Sequence, residues 1–191
     1  MSIEILEKKE IREKISPITV SAYHIMYENG AIDENVELIE GVIVEKMPKK
    51  PIHSAIVARL NELIRNFLLP HLHIRQEQPI TFLRSEPEPD LAVVKGNEND
   101  YLYSHPSKAE FIIEVALTSL ALDREKIAIY AKAGIPEYWI INVKQKEIEV
   151  YSDLKKSQYI KKKIIHLNDM ISFPFAPQKK ISTNFIFFDN D

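Results

Sequence analysis

Residues 111–143 read FIIEVALTSLALDREKIAIYAKAGIPEYWIINV, and few architectures accommodate them. Phe111–Val115 is a nearly continuous apolar run, as expected of a strand buried on both faces. Ala121–Ala133 has helical spacing, with Ile127, Ala128, Tyr130 and Ala131 apolar and Gly134 closing the helix. Pro136 then opens a second buried strand, Tyr138–Val143. A strand–helix–strand unit of this length is a crossover connection. It implies two parallel strands with the helix on one face of the sheet. Glu114 interrupts the first strand, and a charge in such a run is costly unless it is paired or bound to a metal.

The flanking sequence supplies antiparallel partners, so the expected fold is α/β, with a central mixed β-sheet flanked by helices. Val36–Ile39 and Val42–Lys46 flank Glu40-Gly41, a hairpin signal. Thr19 caps a helix through Glu28 that ends at Asn29-Gly30. Ile56, Leu60, Leu63, Ile64 and Phe67 mark an amphipathic helix from His53 to Leu69, stopped by Pro70. Ile74–Leu83 reads as a strand, with Pro79 placing it at an edge or a bulge. Leu91–Val94 is a short apolar strand behind the proline-stiffened SEPEPD. Glu147–Ser152 and Tyr159–His166 form a hairpin around residues 153–156. The late apolar patch at Phe185–Phe188 docks on the core or on a second subunit. Residues 1–18 form an N-terminal arm, and residues 19–191 a single domain of ordinary size.

Composition narrows the chemistry. The chain lacks cysteine, which excludes disulfides, cysteine-zinc sites and thiol catalysis and fits a reducing cytoplasm. No apolar run approaches a membrane span, and the N-terminus has no secretory h-region. Four glycines, with no GxxxxGK[ST] and no GxGxxG, argue against a nucleotide cradle. His71 and His73 form an HxH pair without an evident third zinc ligand. The net charge of −3 rules out a basic nucleic-acid coat, although residues beyond 100 are net basic. The run Lys161–Lys163 reads as solvated edge protection, with a DNA-backbone contact as the other option.

The remaining constellation is Asp90 at the start of one strand, Glu114 inside the next, and Lys126 on the following helix. Two carboxylates that converge at a sheet fork, with an ammonium beside them, suit a divalent metal and a phosphodiester. The carbonyl of Val115 or Ala116 could add a ligand. Lys126 shares a helix face with Asp123 and Tyr130, so it reaches the pocket only if that face points back over Glu114. The same residues also read as a buried Glu–Lys ion pair between strand and helix. Glu37 or Glu40, on opposite faces of the hairpin, could supply a third acid. His53 reads as a surface or capping residue, with a phosphate or water contact as the alternative.

In order, ELIEG, a proline-marked turn with His53, PEPDLAVV, IIEV, LDREKIAIYAKAGIPEYWIIN and EIEVY resemble the Uma family. These are restriction-endonuclease-like proteins of the PD-(D/E)XK nuclease superfamily. The resemblance covers residues 19–151. It implies Asp90 and Glu114 as metal ligands for Mg²⁺ or Mn²⁺, with Asp90, Glu114, Lys126 and Glu37 as the catalytic set and Glu40 as the fallback for Glu37. The superfamily's lysine two residues after the second acid is replaced by Ala116, and the resemblance implies that Lys126 substitutes for it. The implied function is a metal-dependent endonuclease hydrolysing DNA as a homodimer. Ala116, ALTSL after the second acid, Val42 after the hairpin glycine and Met47-Pro48 before the histidine turn depart from the family pattern. They keep an alternative open: a catalytically inactive nuclease-fold binding or interaction module.

Overall fold

A computed structural model describes residues 8–188. The apolar runs that fix the sequence reading form the middle of a six-stranded sheet. After a short helix α1 (Lys9–Arg12), the elements are α2 (Val20–Glu28), β1 (Val36–Ile39), β2 (Val42–Glu45), α3 (Pro51–Phe67), β3 (Leu72–Gln76), β4 (Leu91–Lys95), β5 (Phe111–Ala116), α4 (Leu120–Lys132), β6 (Tyr138–Asn142), β7 (Glu147–Lys155) and β8 (Gln158–His166). A small β9 (Met170–Ile171) and β10 (Ile181–Ser182) pair follows. The large sheet has the order β3-β4-β5-β6-β7-β8. Only β5 and β6 pair in parallel, joined by α4, and every other neighbour is antiparallel. The sheet is therefore mixed, with the crossover at its centre. Residues 1–7 of the expected arm lie outside the described residues.

Alternation along the strands divides the interior into two layers. Ile74, Val93, Phe111, Ile113, Val115, Trp139 and Ile141 face α3, which presents Ile56, Val57, Leu60 and Ile64. Phe111 and Trp139 pack edge to face at 4.9 Å. Ala92, Val94, Ile112, Ala116, Tyr138 and Ile140 face the other way, toward Tyr130 of α4. Each fully buried aliphatic side chain here contributes about 1.5–3 kcal/mol relative to exposure. Ile186 and Phe187 are buried in the α3-side layer, so that part of the terminal patch docks on the core. Phe188 lies under the Arg59 guanidinium, 3.4 Å from ring centroid to Cζ.

Local signals set the ends of the elements. Thr19 Oγ1 accepts the Ala22 N–H at 3.1 Å and caps α2. Pro51 sits in the first turn of α3, where its missing N–H costs nothing, so the helix starts two residues before the expected His53. The β7–β8 hairpin runs farther than expected and turns at Lys156 and Ser157, both with positive φ. Its Lys161–Lys163 run lies on the edge strand β8, and Lys162 pairs with Glu149 at 2.8 Å.

The expected strand 74–83 is corrected by the structure. Only Leu72–Gln76 pairs with β4. Glu77 turns to φ +53, and Pro79, Pro87 and Pro89 have no N–H to continue a ladder. Residues 77–90 instead form a loop tied back on itself. Ile80 N–H donates to Pro87 O at 3.0 Å, and Phe82 N–H to Ser85 O at 2.8 Å. A bridge between Leu38 and Glu86 fastens this loop to the β1–β2 hairpin. The loop thereby brings Glu37, Glu88 and Asp90 to one end of the sheet.

Candidate active site

The site begins where a ladder stops. β4 and β5 pair from Val93↔Phe111 to Leu91↔Ile113, and then the strands part. Beyond that point side chains take over the backbone bonding. Asp90 Oδ2 accepts the Val115 N–H at 2.7 Å. The Asp90 N–H in turn donates to Glu114 Oε2 at 3.2 Å. The two acids thus hold each other's strands at the fork.

Glu114 and Ala116 are two apart on β5, so both face α4. That explains the missing lysine at 116. Ala116 is packed in the layer around Tyr130, and the ammonium arrives from the helix opposite. Lys126 Nζ lies 3.1 Å from Glu114 Oε1 and 2.9 Å from Glu37 Oε1. Tyr130, one turn further along α4, donates to Glu114 Oε1 at 2.9 Å. Asp123, one turn earlier, accepts from Ser119 Oγ at 2.6 Å. Glu37 Oε2 also accepts the Glu88 N–H at 3.2 Å, which ties hairpin and loop together.

Glu40 does not join this group. It sits at the hairpin turn with φ +48 and pairs with exposed Lys132 at 2.8 Å. The Ala116 carbonyl accepts the Val143 N–H at 3.1 Å, which carries the β5–β6 pairing one step further. His53, read above as a surface or capping residue, is 8% exposed and lines the same cleft as Glu37, Asp90, Glu114, Asp123 and Lys126. Its Nε2 lies 3.1 Å from Asp90 Oδ2, while its Nδ1 is buried with no hydrogen-bond partner.

Electrostatics make this cluster costly. Glu37, Asp90, Glu114 and Asp123 are all buried, against the single buried ammonium of Lys126. Burial pushes the Glu114 carboxyl up, with Lys126 pulling it down and the neighbouring acids adding to the rise. All three hydrogen-bond partners of Glu114 are donors, the arrangement an ionised carboxylate satisfies. Burial also raises Asp123, to about 6, against the pull of Lys126 and the Ser119 hydroxyl. For Lys126 burial acts downward, but Glu114, Glu37 and Asp123 together raise it above its ordinary value. The ammonium is therefore held protonated.

Excess buried negative charge, with the His53 Nε2 beside Asp90, fits a divalent cation. His53, Glu77 and Asp90 each offer a donor atom, all within 4.8 Å of one another, spacing that a metal ion could use. His71 and His73 belong to no such group among the described residues. Sequence reasoning singled out Asp90, Glu114 and Lys126, which the structure brings together, and placed Tyr130 on the helix face of Lys126. It missed Glu77 altogether, because nothing local distinguishes a glutamate in a proline-rich loop.

No helix of the described residues is long and apolar enough to cross a membrane. No curated protein matches the chain. The crystal structure described as that of "a putative nuclease belonging to DUF820" from Anabaena variabilis ATCC 29413 has the same fold. Its TM-score is 0.75 at 21% identity, covering 90% of this chain and 98% of the other. Residues 20–183 match the model of a family described as "Putative restriction endonuclease", so this chain belongs to the Uma2 family.

Proposed function

We propose that this protein is a metal-dependent endonuclease that hydrolyses phosphodiester bonds in DNA, working as a homodimer with Mg²⁺ or Mn²⁺. The observation that carries the reading is the Lys126 ammonium, held between Glu37 and Glu114 beside Asp90 in one cleft. Asp90 and Glu114 would hold the ion, which when bound neutralises phosphate charge and makes its water more acidic. Asp90 is fixed by the Val115 N–H and Glu114 by the Asp90 N–H, so neither needs to reorganise for that role. Lys126, kept protonated by its acids in the metal-free protein, stabilises charge developing on the phosphate or positions the attacking water. Glu37 sets the position of the ammonium, and Tyr130 that of Glu114. The arrangement follows the PD-(D/E)XK scheme with its lysine moved to α4.

Plasmid cleavage tests this directly. Asp90→Asn and Lys126→Met should each lower Mg²⁺- or Mn²⁺-supported cleavage by about 10²-fold or more. Unchanged cleavage in both folded variants would sink the assignment. One observation favours a second reading, an inactive nuclease-fold binding module. Lys126, Tyr130 and the Asp90 N–H give Glu114 three partners within the protein, so it has a structural role without a metal. On that reading no variant of these acids alters affinity for Mg²⁺ or Mn²⁺ in calorimetry.

A further inference from the structure

We infer that a hollow beside the acid cleft receives one unpaired, amino-bearing nucleobase, so that the DNA this protein cuts carries an extrahelical or single-stranded nucleotide next to the scissile phosphate. The inference rests on the nuclease reading and names the substrate class of that site. The hollow lies between α2 and residues 101–107 and encloses about 920 Å³. Small-molecule sites usually measure about 300–1,000 Å³. It shares two residues with the cleft. Lys46 and Glu88 line both and pair with each other at 2.9 Å, with side chains 23% and 21% exposed. A strand whose phosphate sits in the cleft has this ion pair between it and the hollow.

Aromatic rings make its walls. Tyr23 and Tyr27 come from α2, where residues four apart share a face, and Tyr101 and Tyr103 come from the opposite segment. Tyr27 is 49% and Tyr103 98% exposed, so both present ring surface that the fold leaves uncovered. Tyr23 and Tyr101 are anchored instead. Their hydroxyls donate to the Val36 carbonyl at 3.1 Å and the Lys95 carbonyl at 2.6 Å. The Arg75 guanidinium stands 5.4 Å from the Tyr101 ring centroid and holds that ring from one side. A nucleobase has a flat π-face and a polar edge, and stacking on an aromatic side chain strengthens binding about 5- to 150-fold per base.

The polar groups of the hollow select a base over a phosphate. Glu28, Glu34, Glu86 and Glu88 line it, against the ammonium of Lys46. Their field is felt on the wall itself: burial, then Glu86 and Glu88, push the Tyr23 hydroxyl up to about 12. That charge repels the sugar–phosphate backbone, which stays at the rim, where Lys46, Lys49 and Lys50 line the cleft. A base is neutral and enters. Carboxylates only accept, so the favoured bases are those with an amino donor, namely cytosine, adenine and guanine, rather than thymine. The wall that reads them is fixed in advance. Glu86 is held by His24 Nε2 at 2.8 Å and by the Thr81 hydroxyl. His105 Nδ1 accepts from Arg75 at 3.2 Å, which leaves Nε2 as the donor of that imidazole.

The test uses the full chain in EDTA at low salt, with fluorescein-labelled DNA duplexes as probes. One duplex is fully paired; the others carry a single bulged nucleotide with cytosine, thymine or no base. Fluorescence anisotropy should show the cytosine bulge bound about tenfold or more tighter than the paired duplex, and about fivefold or more tighter than the thymine bulge. The abasic bulge bends as readily but offers nothing to stack, so it should bind like the paired duplex. Tyr27→Ala and Tyr103→Ala, both at exposed positions, should each weaken binding of the cytosine bulge about fivefold or more. The inference is overturned if the cytosine bulge binds no tighter than the abasic or the thymine bulge, if both variants bind it as the wild type does, or if no probe binds. Cleavage plays no part in this readout, so the two readings fail separately. Base-dependent binding by a protein that cuts no DNA with Mg²⁺ or Mn²⁺ keeps the hollow and removes the nuclease. Plasmid cleavage without base-dependent binding removes the hollow's role and keeps the nuclease.

Discussion

Replacing Lys126 with methionine keeps most of the side chain's length and removes its charge. The ammonium lies 2.9 Å from Glu37 and 3.1 Å from Glu114, and all three residues are buried. Removing one partner of a buried ion pair costs about 3–5 kcal/mol, because the other charge stays desolvated and unpaired. Proton uptake limits the loss. A carboxyl with an ordinary pKa of 4.5 is protonated at pH 7.5 for about 4 kcal/mol, and at pH 5.5 for about 1.4 kcal/mol. The variant should thus lose about 3–4 kcal/mol at pH 7.5 and about 1 kcal/mol at pH 5.5. The sign follows from linkage. The folded variant holds a proton that the unfolded chain releases above pH 4.5, so its stability falls as pH rises. Urea unfolding at the two pH values, without metal, measures both numbers. The melting temperature at pH 7.5 should drop by roughly 6–16 °C. Adding Glu114→Gln to the variant should recover most of the loss, since a neutral amide then replaces one stranded carboxylate. A loss below about 1 kcal/mol at pH 7.5, or one that is the same at both pH values, refutes Lys126 as the counter-charge of this cluster.

Two other expectations follow from buried charge. In the metal-free wild type, Asp123 is raised from 3.8 to about 6 and Glu114 is raised above 4.5, so their contribution to stability is complete below pH 3.8 and is lost as pH rises through the folded values. Divalent ions favour the ionised carboxylates, so Mn²⁺ should stabilise the protein more at pH 8 than at pH 6; equal stabilisation in denaturant titrations would contradict this. Glu149 behaves in the opposite sense. Burial alone would raise it, but Arg124, Lys162 and Tyr151 hold it down at about 2, so its contribution is present above pH 4.5 and lost as pH falls toward 2. Glu149→Gln should cost about 2 kcal/mol at pH 7, after discounting the half-exposed Arg124 and Lys162, with little cost at pH 3.

What the sequence disclosed depended on range. Glu114 stands out because a charge inside an apolar run has no innocuous place to go, and the run itself fixes the central strand. Spacing puts Lys126 on one helix face with Asp123 and Tyr130, and the family resemblance, with Ala116 in the lysine's usual place, implies its role. Glu37 and Glu40 lie on opposite hairpin faces, and nothing within the hairpin says which face meets the sheet. The Leu38–Glu86 bridge decides it, 48 residues apart in sequence terms from local cues. For the same reason His53 was read first as a surface or capping residue, and Glu77 was not singled out. Each acquires meaning only from Asp90, which the chain brings near after turning through three prolines. Those prolines also ended β3 earlier than its apolar alternation suggested.

The fork between β4 and β5 bears on how this lineage can change. Asp90 and Glu114 substitute for ladder hydrogen bonds, the one by accepting the Val115 N–H and the other by accepting the Asp90 N–H. Two strands are kept in register by the same carboxylates that a metal would use. Selection for folding alone is then enough to retain both acids. On the nuclease reading, a descendant that had abandoned cleavage would still carry them, while residues with no such structural duty would be free to drift. In this family, loss of chemistry should be looked for first at the periphery of the cleft, since the centre is obliged to persist.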